Sequence, residues 1–142
     1  MKRDAIVRFF DARQADWRAR NAVNLAAAHA ETGSVLSPMF GALNGRAEIQ
    51  GSYEKLFETF PDWFFRSEEL IIDGDRVVQR FTATATLVGG IMGMTEGTNR
   101  HGRIEGVLFF TMGKNLIEHE RRMYDFSGLL IQIGVLRSRP NF

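Results

Sequence analysis

The chain has 142 residues, of which 44% are hydrophobic and 25% are charged, and this balance excludes a disordered chain. Eighteen lysines and arginines against 17 acidic residues leave a formal charge of +1, so no strong positive field exists to attract nucleic acid or an anionic membrane. The absence of cysteine excludes disulfide bonds, thiolate zinc sites, iron–sulfur clusters and a cysteine nucleophile.

The chain carries no sign of a membrane span or a targeting segment. No apolar run approaches the roughly 20 residues that a spanning helix needs. Segment 1–20 mixes acidic residues with apolar ones and lacks the continuous hydrophobic stretch of a signal peptide. Because no linker or repeat divides the sequence, we expect one cytoplasmic domain over residues 1–142.

Helical patterns predominate in the first sixty residues. Apolar residues recur at helical spacing over 5–13. Segment 17–29 is rich in alanine and favours a helix, which Gly33 is expected to end. Residues 35–38 have the pattern of a short strand that runs into a loop. An apolar stripe over 47–60 predicts an amphipathic helix, and a proline follows it.

Strand patterns dominate the remainder of the chain. The predicted elements are strands over 63–72, 76–88, 104–112 and 116–124, and then a short helix over 127–136. Asp73-Gly74-Asp75 predicts a hairpin turn, and four glycines within 89–99 predict a loop. Helices followed by four long antiparallel strands predict an α+β domain, with helices on one face of a curved sheet. A strongly curved sheet that helices close on one side has the shape of a cone. The space inside such a cone is a concave and mostly apolar site.

Motifs for metal or nucleotide binding are missing. His119-Glu120 begins like the zinc-protease motif HExxH, but Met123 stands where the second histidine is needed. With three histidines in the chain, we expect no metal site. His29 is expected to end the alanine-rich helix, where a cation suits the helix dipole. The glycines of 89–93 lack the strand and helix that flank a dinucleotide-binding loop.

Three segments, in order, resemble the SnoaL-like polyketide cyclases of the NTF2-like (ketosteroid-isomerase-like) superfamily. They are 124–134, which reads YDFSGLLIQIG, 60–63, which reads FPDW, and the loop with Gly93-Met94 and Thr98-Asn99-Arg100. The resemblance covers about residues 3–136. It implies an NTF2-like cone, in which N-terminal helices pack on the concave face of a curved antiparallel sheet. It also implies a homodimer through the open face of that sheet, and catalysis without metal or cofactor.

The resemblance assigns the general base to Asp125. In these cyclases the matching aspartate removes a proton next to carbonyl groups, and the enolate closes a ring by an intramolecular aldol reaction. A carboxylate at the mouth of an apolar cone gains basicity from desolvation, so this chemistry is physically reasonable. The alternative is that Asp125 only caps the closing helix, as aspartate commonly does.

Several positions depart from the family pattern. The cyclases carry Gln and His where this chain has Gly106 and Leu108, and Asn where it has Ser37. Limonene-type epoxide hydrolases of the superfamily use Arg-x-Asp on a middle strand, which Arg80-Phe81-Thr82 resembles with Thr in place of Asp. Alternation gives parity and not direction, so Arg80 and Thr82 face either the cone or solvent. The family pattern favours the cone, where Arg80 would stabilise an enolate or hold Asp125 ionised.

The candidate cavity lining combines aromatic, aliphatic and small polar residues. It consists of Ser37, Phe40, Tyr53, Trp63, Thr82, Met92, Met94, Leu108 and Phe110. Met92 and Met94 lie on the glycine-rich loop, where flexible thioethers suit an adaptable lid over an apolar ligand. Ordinary core packing is the alternative for the aromatic, methionine and leucine members of this set, and it is favoured for Tyr53 and Phe110.

Three hypotheses about function follow. The first is a cofactor-independent SnoaL-like enzyme acting on a small to medium apolar carbonyl compound, by aldol cyclisation or isomerisation, with Asp125 as base and Arg80 as electrostatic partner. The second is a non-catalytic NTF2-like module that binds a ligand or has a structural role. The third is a hydrolase or dehydratase built on the same cone. An open cavity shared by Asp125 and Arg80 would favour the enzyme, whereas an Asp125 turned to the helix N-terminus would favour the binding module.

Overall fold

The computed structural model describes residues 1–138, which form four helices packed against one six-stranded sheet. In chain order the elements are α1 (Arg3–Arg18), α2 (Ala22–Ala27), β1 (His29–Ser37), β2 (Gly41–Asn44), α3 (Arg46–Thr59), β3 (Phe64–Asp73), β4 (Arg76–Thr86), β5 (His101–Met112), β6 (Ile117–Tyr124) and α4 (Phe126–Gln132). The predicted α+β cone is confirmed. No helix among these residues is long and apolar enough to cross a membrane.

The sheet differs in one respect from the expected antiparallel arrangement. Its strand order is β2-β1-β6-β5-β4-β3, and β1 pairs with β6 in parallel. The four strands β3 to β6 are antiparallel as predicted. The edge strand β2 was not predicted, because it has only four residues and none of them is fully buried. The sheet is therefore mixed, and its N-terminal edge depends on β1.

The alanine-rich segment forms less helix than expected. Arg20 has a φ of +50°, which ends the first helical region, and Asn21 begins a short second helix by accepting a hydrogen bond from the backbone N–H of Asn24. From His29 onwards the chain is strand and not helix. A Cβ at Gly33 would lie 3.0 Å from the carbonyl oxygen of Ala30, so glycine fits a close approach inside β1 and does not end a helix. Pairing with β6 overrides the local helix propensity.

The inner face of the sheet forms the core with aromatic side chains from α1 and β3. On β4 the predicted alternation is confirmed, since Val77, Phe81, Ala83 and Ala85 are buried. The rings of Trp17, Phe65 and Phe81 stack in series, with centroid separations of 4.5 and 5.1 Å. This stack fills most of the space that the sequence alone assigned to a cavity.

A buried carboxylate joins the sheet to the first helix. Glu120 on β6 is 3% exposed, and its Oε2 accepts a hydrogen bond of 2.9 Å from Nε of Arg122. Arg13 on α1 is buried to the same degree, and its Nη2 lies 3.9 Å from Glu120 Oε1. Nη1 of Arg13 donates to the carbonyl oxygen of Leu25 at 2.9 Å. One carboxylate therefore holds two guanidinium groups that come from different elements.

Tyr53 and His29 complete what we call the buried charge cluster (Arg13, His29, Tyr53, Glu120 and Arg122). The Tyr53 hydroxyl accepts hydrogen bonds from Arg13 at 2.6 Å and from Arg122 at 3.2 Å. Nε2 of His29 lies 3.4 Å from that hydroxyl and 3.5 Å from Glu120 Oε1. His29 thus begins β1 as a fully buried residue, which corrects its expected place at the end of a helix.

The protonation states of the cluster follow from burial and charge. Burial, reinforced by the nearby charge of Arg13, lowers the pKa of His29 from 6.5 to about 3, so the imidazole is neutral near pH 7. Burial alone would raise the pKa of Glu120, but the Arg122 guanidinium outweighs it, with Arg13 in support, and lowers that pKa. Glu120 is therefore ionised, and the cluster contains two cations and one anion.

The cluster makes the folded chain sensitive to acid. Both pKa values are lower in the folded state, so the unfolded chain binds more protons and stability falls as the pH falls. Between pH 6.5 and 4.5, the ordinary values of His and Glu, the loss comes from His29. We expect the free energy of unfolding to decrease by about 2 kcal/mol over this interval. Urea denaturation at a series of pH values measures it.

Two substitutions separate His29 from other groups in this measurement. His29→Gln should lower stability at pH 7 but flatten the pH dependence between pH 6.5 and 4.5, because the titrating ring is gone. His119→Gln, at an exposed position on β6, should leave that slope unchanged. A wild-type chain whose stability is constant or rises on acidification would contradict the assignment of a neutral His29.

Candidate functional site

A small cavity remains at the centre of the cone. Its volume is about 30 Å³, which is room for about two water molecules. Helices α1 and α3, the turn after β1 and strands β3 to β6 all contribute to it. The lining residues are Trp17, Met39, Phe40, Leu56, Trp63, Phe65, Phe81, Ile104, Leu108, Arg122 and Tyr124. We call this space the inner cavity.

The polar groups of the inner cavity are mostly hydrogen-bond donors. Arg122 on β6 reaches its wall from the buried charge cluster, and 9% of the side chain is exposed. The indole N–H groups of Trp17 and Trp63 are buried and have no hydrogen-bond partner among the described residues. Burial raises the pKa of Tyr124, so its hydroxyl stays protonated and able to donate. No acidic residue lies among those that line the cavity in the described chain.

A larger surface pocket, which we call the mouth pocket, lies next to the inner cavity. It measures about 620 Å³ and is lined by Met39, Phe40, Lys55, Thr59, Gly90, Ile91, Met92, Gly93, Met94 and Phe126. Met39 and Phe40 line both spaces, so their side chains separate them. Met92 is 66% exposed and has a φ of +53°, which suits its position at the tip of a loop. The predicted loop methionines therefore border the mouth pocket and not the inner cavity.

Ser37 holds the turn that separates the two spaces. Its hydroxyl oxygen accepts hydrogen bonds from the backbone N–H groups of Met39 at 3.2 Å and Phe40 at 3.1 Å. Ser37 is buried at the end of β1, so the pair of bonds fixes the turn from inside. This predicted site residue positions Phe40 and does not itself line the inner cavity.

Asp125 is exposed at the first residue after β6. Its Oδ1 accepts a hydrogen bond of 2.9 Å from the backbone N–H of Gly128, which makes it the N-cap of α4. Asp125 does not line the inner cavity or the mouth pocket, although the preceding Tyr124 lines the first and the following Phe126 lines the second. The capping interaction that the sequence left as an alternative is therefore present.

Arg80 and Thr82 lie on the outer face of the sheet, away from the helices. Arg80 is exposed and its guanidinium lies 3.5 Å from Glu69 Oε1 and 3.7 Å from Glu105 Oε1. Thr82 donates a hydrogen bond of 2.9 Å to Glu68. The expectation that these two residues face the cone is corrected. The residues that alternate with Arg80 and Thr82 along β4 are mostly apolar, and their side chains face the helices.

The other predicted lining residues divide into three groups. Phe40, Trp63 and Leu108 line the inner cavity. Tyr53 lies in the buried charge cluster, with its ring 5.3 Å from the Arg122 guanidinium carbon. Phe110 is in the core, where its ring lies edge-on to Phe10 at 4.9 Å. For Tyr53 and Phe110, the core alternative describes their positions better.

Gly106 lies opposite Tyr124 in the β5–β6 ladder. A Cβ at this position would overlap the carbonyl oxygen of Met123 and lie 2.8 Å from Cβ of Tyr124 and 3.1 Å from the Phe81 ring. The position that carries a polar side chain in the resembling cyclases is therefore filled here by neighbouring residues. No side chain fits without a shift of the backbone.

Sequence reasoning missed Arg122, Tyr124 and Trp17 as lining residues. The signal for the first two was the parity of β6, because Glu120, Arg122 and Tyr124 alternate with His119, Arg121 and Met123. The residues of the second set are on the same side of the strand as Asp125, and their side chains lie on the outer face of the sheet. Charged residues normally face solvent, so the set with Glu120 and Arg122 was not an obvious choice for the interior. No group of three or more His, Asp or Glu that could hold a metal ion occurs within residues 1–138.

The fold is shared with solved structures of low sequence identity. TsrD from Streptomyces laurentii aligns with a TM-score of 0.82 at 19% identity, covering 96% of this chain and 99% of its own. An NTF2-like protein of unknown function from Burkholderia pseudomallei K96243 aligns at 0.77 and 16% identity, covering 94% and 98%. TerC, co-crystallised with polyporic acid, aligns at 0.75 and 17% identity, covering 92% and 98%. At such identities the likeness concerns the fold alone.

Comparison of the amino-acid sequence with known families identifies the family of this chain. No curated protein matches it significantly. Residues 6–133, which include every helix and strand except the first residues of α1, match the sequence profile of the SnoaL-like polyketide cyclases. Because this match spans most of the chain, the protein belongs to the SnoaL-like polyketide cyclase family, on the NTF2-like fold.

Proposed function

We propose that this chain binds a small, planar, largely apolar carbonyl compound in the cone. The observation that carries the proposal is that Trp17 and Trp63 both line the inner cavity, and that the indole N–H group of each is buried without a hydrogen-bond partner among residues 1–138. A buried donor without a partner costs about 1–3 kcal/mol. A ligand oxygen would satisfy such a donor, while the surrounding Phe, Leu and Ile side chains would contact the apolar part of the ligand.

We propose that the ligand enters by displacing the turn after β1. An inner cavity of about 30 Å³ is too small for an aromatic ring, whereas the mouth pocket of about 620 Å³ is large enough. Movement of Met39 or Phe40 would join the two spaces. The structural relative that was co-crystallised with polyporic acid supports the idea that this fold admits a small organic molecule.

A second candidate function is proton abstraction by Asp125, as in the family's cyclases. It is favoured by the family assignment and by the position of Asp125 between Tyr124 at the inner cavity and Phe126 at the mouth pocket. In this mechanism the carboxylate leaves Gly128, takes a C–H proton next to a carbonyl group, and generates an enolate. The reaction requires no metal or cofactor, since a carboxylate suffices for a proton flanked by carbonyl groups.

A homodimer through the outer face of the sheet is a further part of this proposal. That face carries the apolar side chains of Leu36, Val78, Val107, Phe109 and Met123, with Arg121 between Leu36 and Phe109. Arg80 and Glu105 lie beside this apolar set, and a two-fold axis that passes between them would place Arg80 of each copy against Glu105 of the other. We therefore propose a second copy of this chain as the occupant of the outer face.

Binding of a carbonyl compound is testable through the two tryptophans. The chain has two tryptophans and both line the inner cavity, so a ¹H–¹⁵N spectrum contains two indole N–H resonances that should respond to a ligand bound there. Acetophenone should move at least one of them downfield, because its oxygen accepts a hydrogen bond. Ethylbenzene has the same shape without the oxygen and should cause no downfield shift. If acetophenone at its solubility limit moves neither resonance, the proposal is wrong.

Matched variants test where acetophenone binds. Leu108→Phe adds volume to the wall of the inner cavity and should weaken acetophenone binding at least tenfold. Thr84→Phe adds a ring on the outer face of the same sheet and should leave binding unchanged. Equal loss in both variants would place the binding site elsewhere.

The role of Asp125 is testable without knowing the substrate. Asp125→Asn preserves an N-cap of similar strength, so thermal stability should change little, but it removes the base. If Asp125 is the base, the wild type accelerates hydrogen–deuterium exchange at the benzylic carbon of phenylacetone, and the variant loses about 10²-fold or more of that acceleration. An Asn variant that exchanges as fast as the wild type would exclude Asp125 as the base.

The oligomeric state can be measured by size-exclusion chromatography with light scattering. The wild type should elute as a dimer, and Phe109→Glu should halve the mass, because it places a charge among the apolar side chains of the outer face. Val23→Glu, on α2 at an exposed apolar position, is the matched control and should remain dimeric. A monomeric wild type would contradict the proposed interface.

A further inference from the structure

The buried charge cluster contains more positive than negative charge. Arg13 and Arg122 are cations, Glu120 is the one anion, and His29 is neutral because of its burial. Tyr53 on α3 adds a hydroxyl group and no compensating carboxylate. Arg46 adds a further cation next to the cluster, with its guanidinium 2.8 Å from the backbone oxygen of His29. The interior therefore has an excess positive charge within the described residues.

The excess positive charge reaches the wall of the inner cavity through the side chain of Arg122. Its Nε is bonded to Glu120 and its Nη2 to Tyr53, whereas its Nη1 makes no hydrogen bond within residues 1–138. Arg122 is also the one charged residue of the cluster that lines the cavity. The bonds to Glu120 and Tyr53 hold the guanidinium in place, so it meets a ligand without prior rearrangement.

The remaining polar groups on the wall are suited to the same ligand chemistry. Trp17 and Trp63 offer indole N–H groups, and Tyr124 offers a protonated hydroxyl. No carboxylate from residues 1–138 lines the cavity. Donors around an apolar, poorly hydrated space stabilise a negative oxygen more strongly than the same donors do in water.

We propose that the inner cavity is an oxyanion site, in which Arg122 binds the negative oxygen of a phenolate or enolate. This inference rests on the proposed function, since it specifies the charge state of the same ligand. It makes Arg122 a specificity-determining residue, and it changes the expected ligand from a neutral ketone to its ionised form. The enolate that proton abstraction produces would be stabilised at the same place.

The experiment uses 4-nitrophenol, whose anion has its own visible absorbance, and 4-nitroanisole, a neutral ether of similar shape. Binding of each is measured by quenching of tryptophan fluorescence. The bound phenol is then titrated with pH. We expect its pKa to fall by about one to three units relative to free 4-nitrophenol, because a nearby guanidinium favours the charged form. By linkage, the anion then binds about tenfold or more tightly than the neutral phenol.

Variants of the cluster assign the effect to Arg122. Arg122→Gln keeps hydrogen-bonding groups but removes the charge, and should abolish most of the shift. Arg122→Lys keeps the charge and should retain part of it. Glu120→Gln raises the net charge of the cluster and should tighten anion binding further. The affinity of each variant for 4-nitroanisole is measured in parallel, so that a loss common to both probes is separated from a loss specific to the anion, and thermal melting checks that each variant is folded.

The outcomes separate this inference from the proposed function. If 4-nitroanisole binds but the bound 4-nitrophenol ionises at the same pH as the free compound, or at a higher pH, the oxyanion site is overturned and the binding function stands. If neither probe binds, the oxyanion site is overturned, and acetophenone binding decides the proposed function separately. The wild-type titration decides the matter even if no variant at Arg122 or Glu120 folds.

Discussion

Two guanidinium groups and one carboxylate meet where the first helix lies against the sheet, and the rest of the cone is arranged around them. Glu120 cannot remain ionised in the interior without Arg122 and Arg13, and removal of one partner of such a group costs about 3–5 kcal/mol. The cluster takes one residue from α1, one from β1, one from α3 and two from β6. It therefore fixes the position of both helices relative to the parallel strand pair.

The same constraint determines the chemistry of the inner cavity. Arg122 reaches the cavity because Glu120 holds it there, two residues away on the same strand. Nearly all other lining groups are apolar or aromatic, and the stack of Trp17, Phe65 and Phe81 leaves little free volume. A filled apolar cone with a fixed buried cation has little room for ligands of varied size and charge. The ligand that we propose for it is flat and has one negative oxygen.

Much of the fold was predictable because it depends on local patterns. Pro61 follows the amphipathic helix, Gly74 turns the β3–β4 hairpin with a φ of +60°, and the alternation on β4 identified the buried residues. The site was less predictable, because a strand's alternation does not say which side is inside. Arg80 and Asp125 share the parity of solvent-facing residues, whereas Arg122 is inside because partners distant in sequence neutralise it.

Errors in the N-terminal third have a different origin. The alanine-rich segment favours a helix by every local criterion, yet its end pairs with β6 and becomes β1. The stabilisation of β1 comes from contacts distant in sequence, since β1 places His29 next to Glu120, which is 91 residues further along the chain. No window of sequence around His29 contains that information. Burial of a histidine at a strand start is a consequence of topology and not of propensity.

Gly106 limits how this chain can diverge from its present form. Its missing side chain leaves the space that Tyr124 and the Phe81 ring occupy, and the Met123 carbonyl closes the remaining gap. A larger residue at position 106 therefore requires a shift of the β6 backbone, because smaller side chains at positions 124 and 81 would leave the Met123 carbonyl oxygen in place. Side-chain substitutions alone therefore do not lead from this chain to a glutamine-bearing relative, since the backbone of the β5–β6 ladder must change as well.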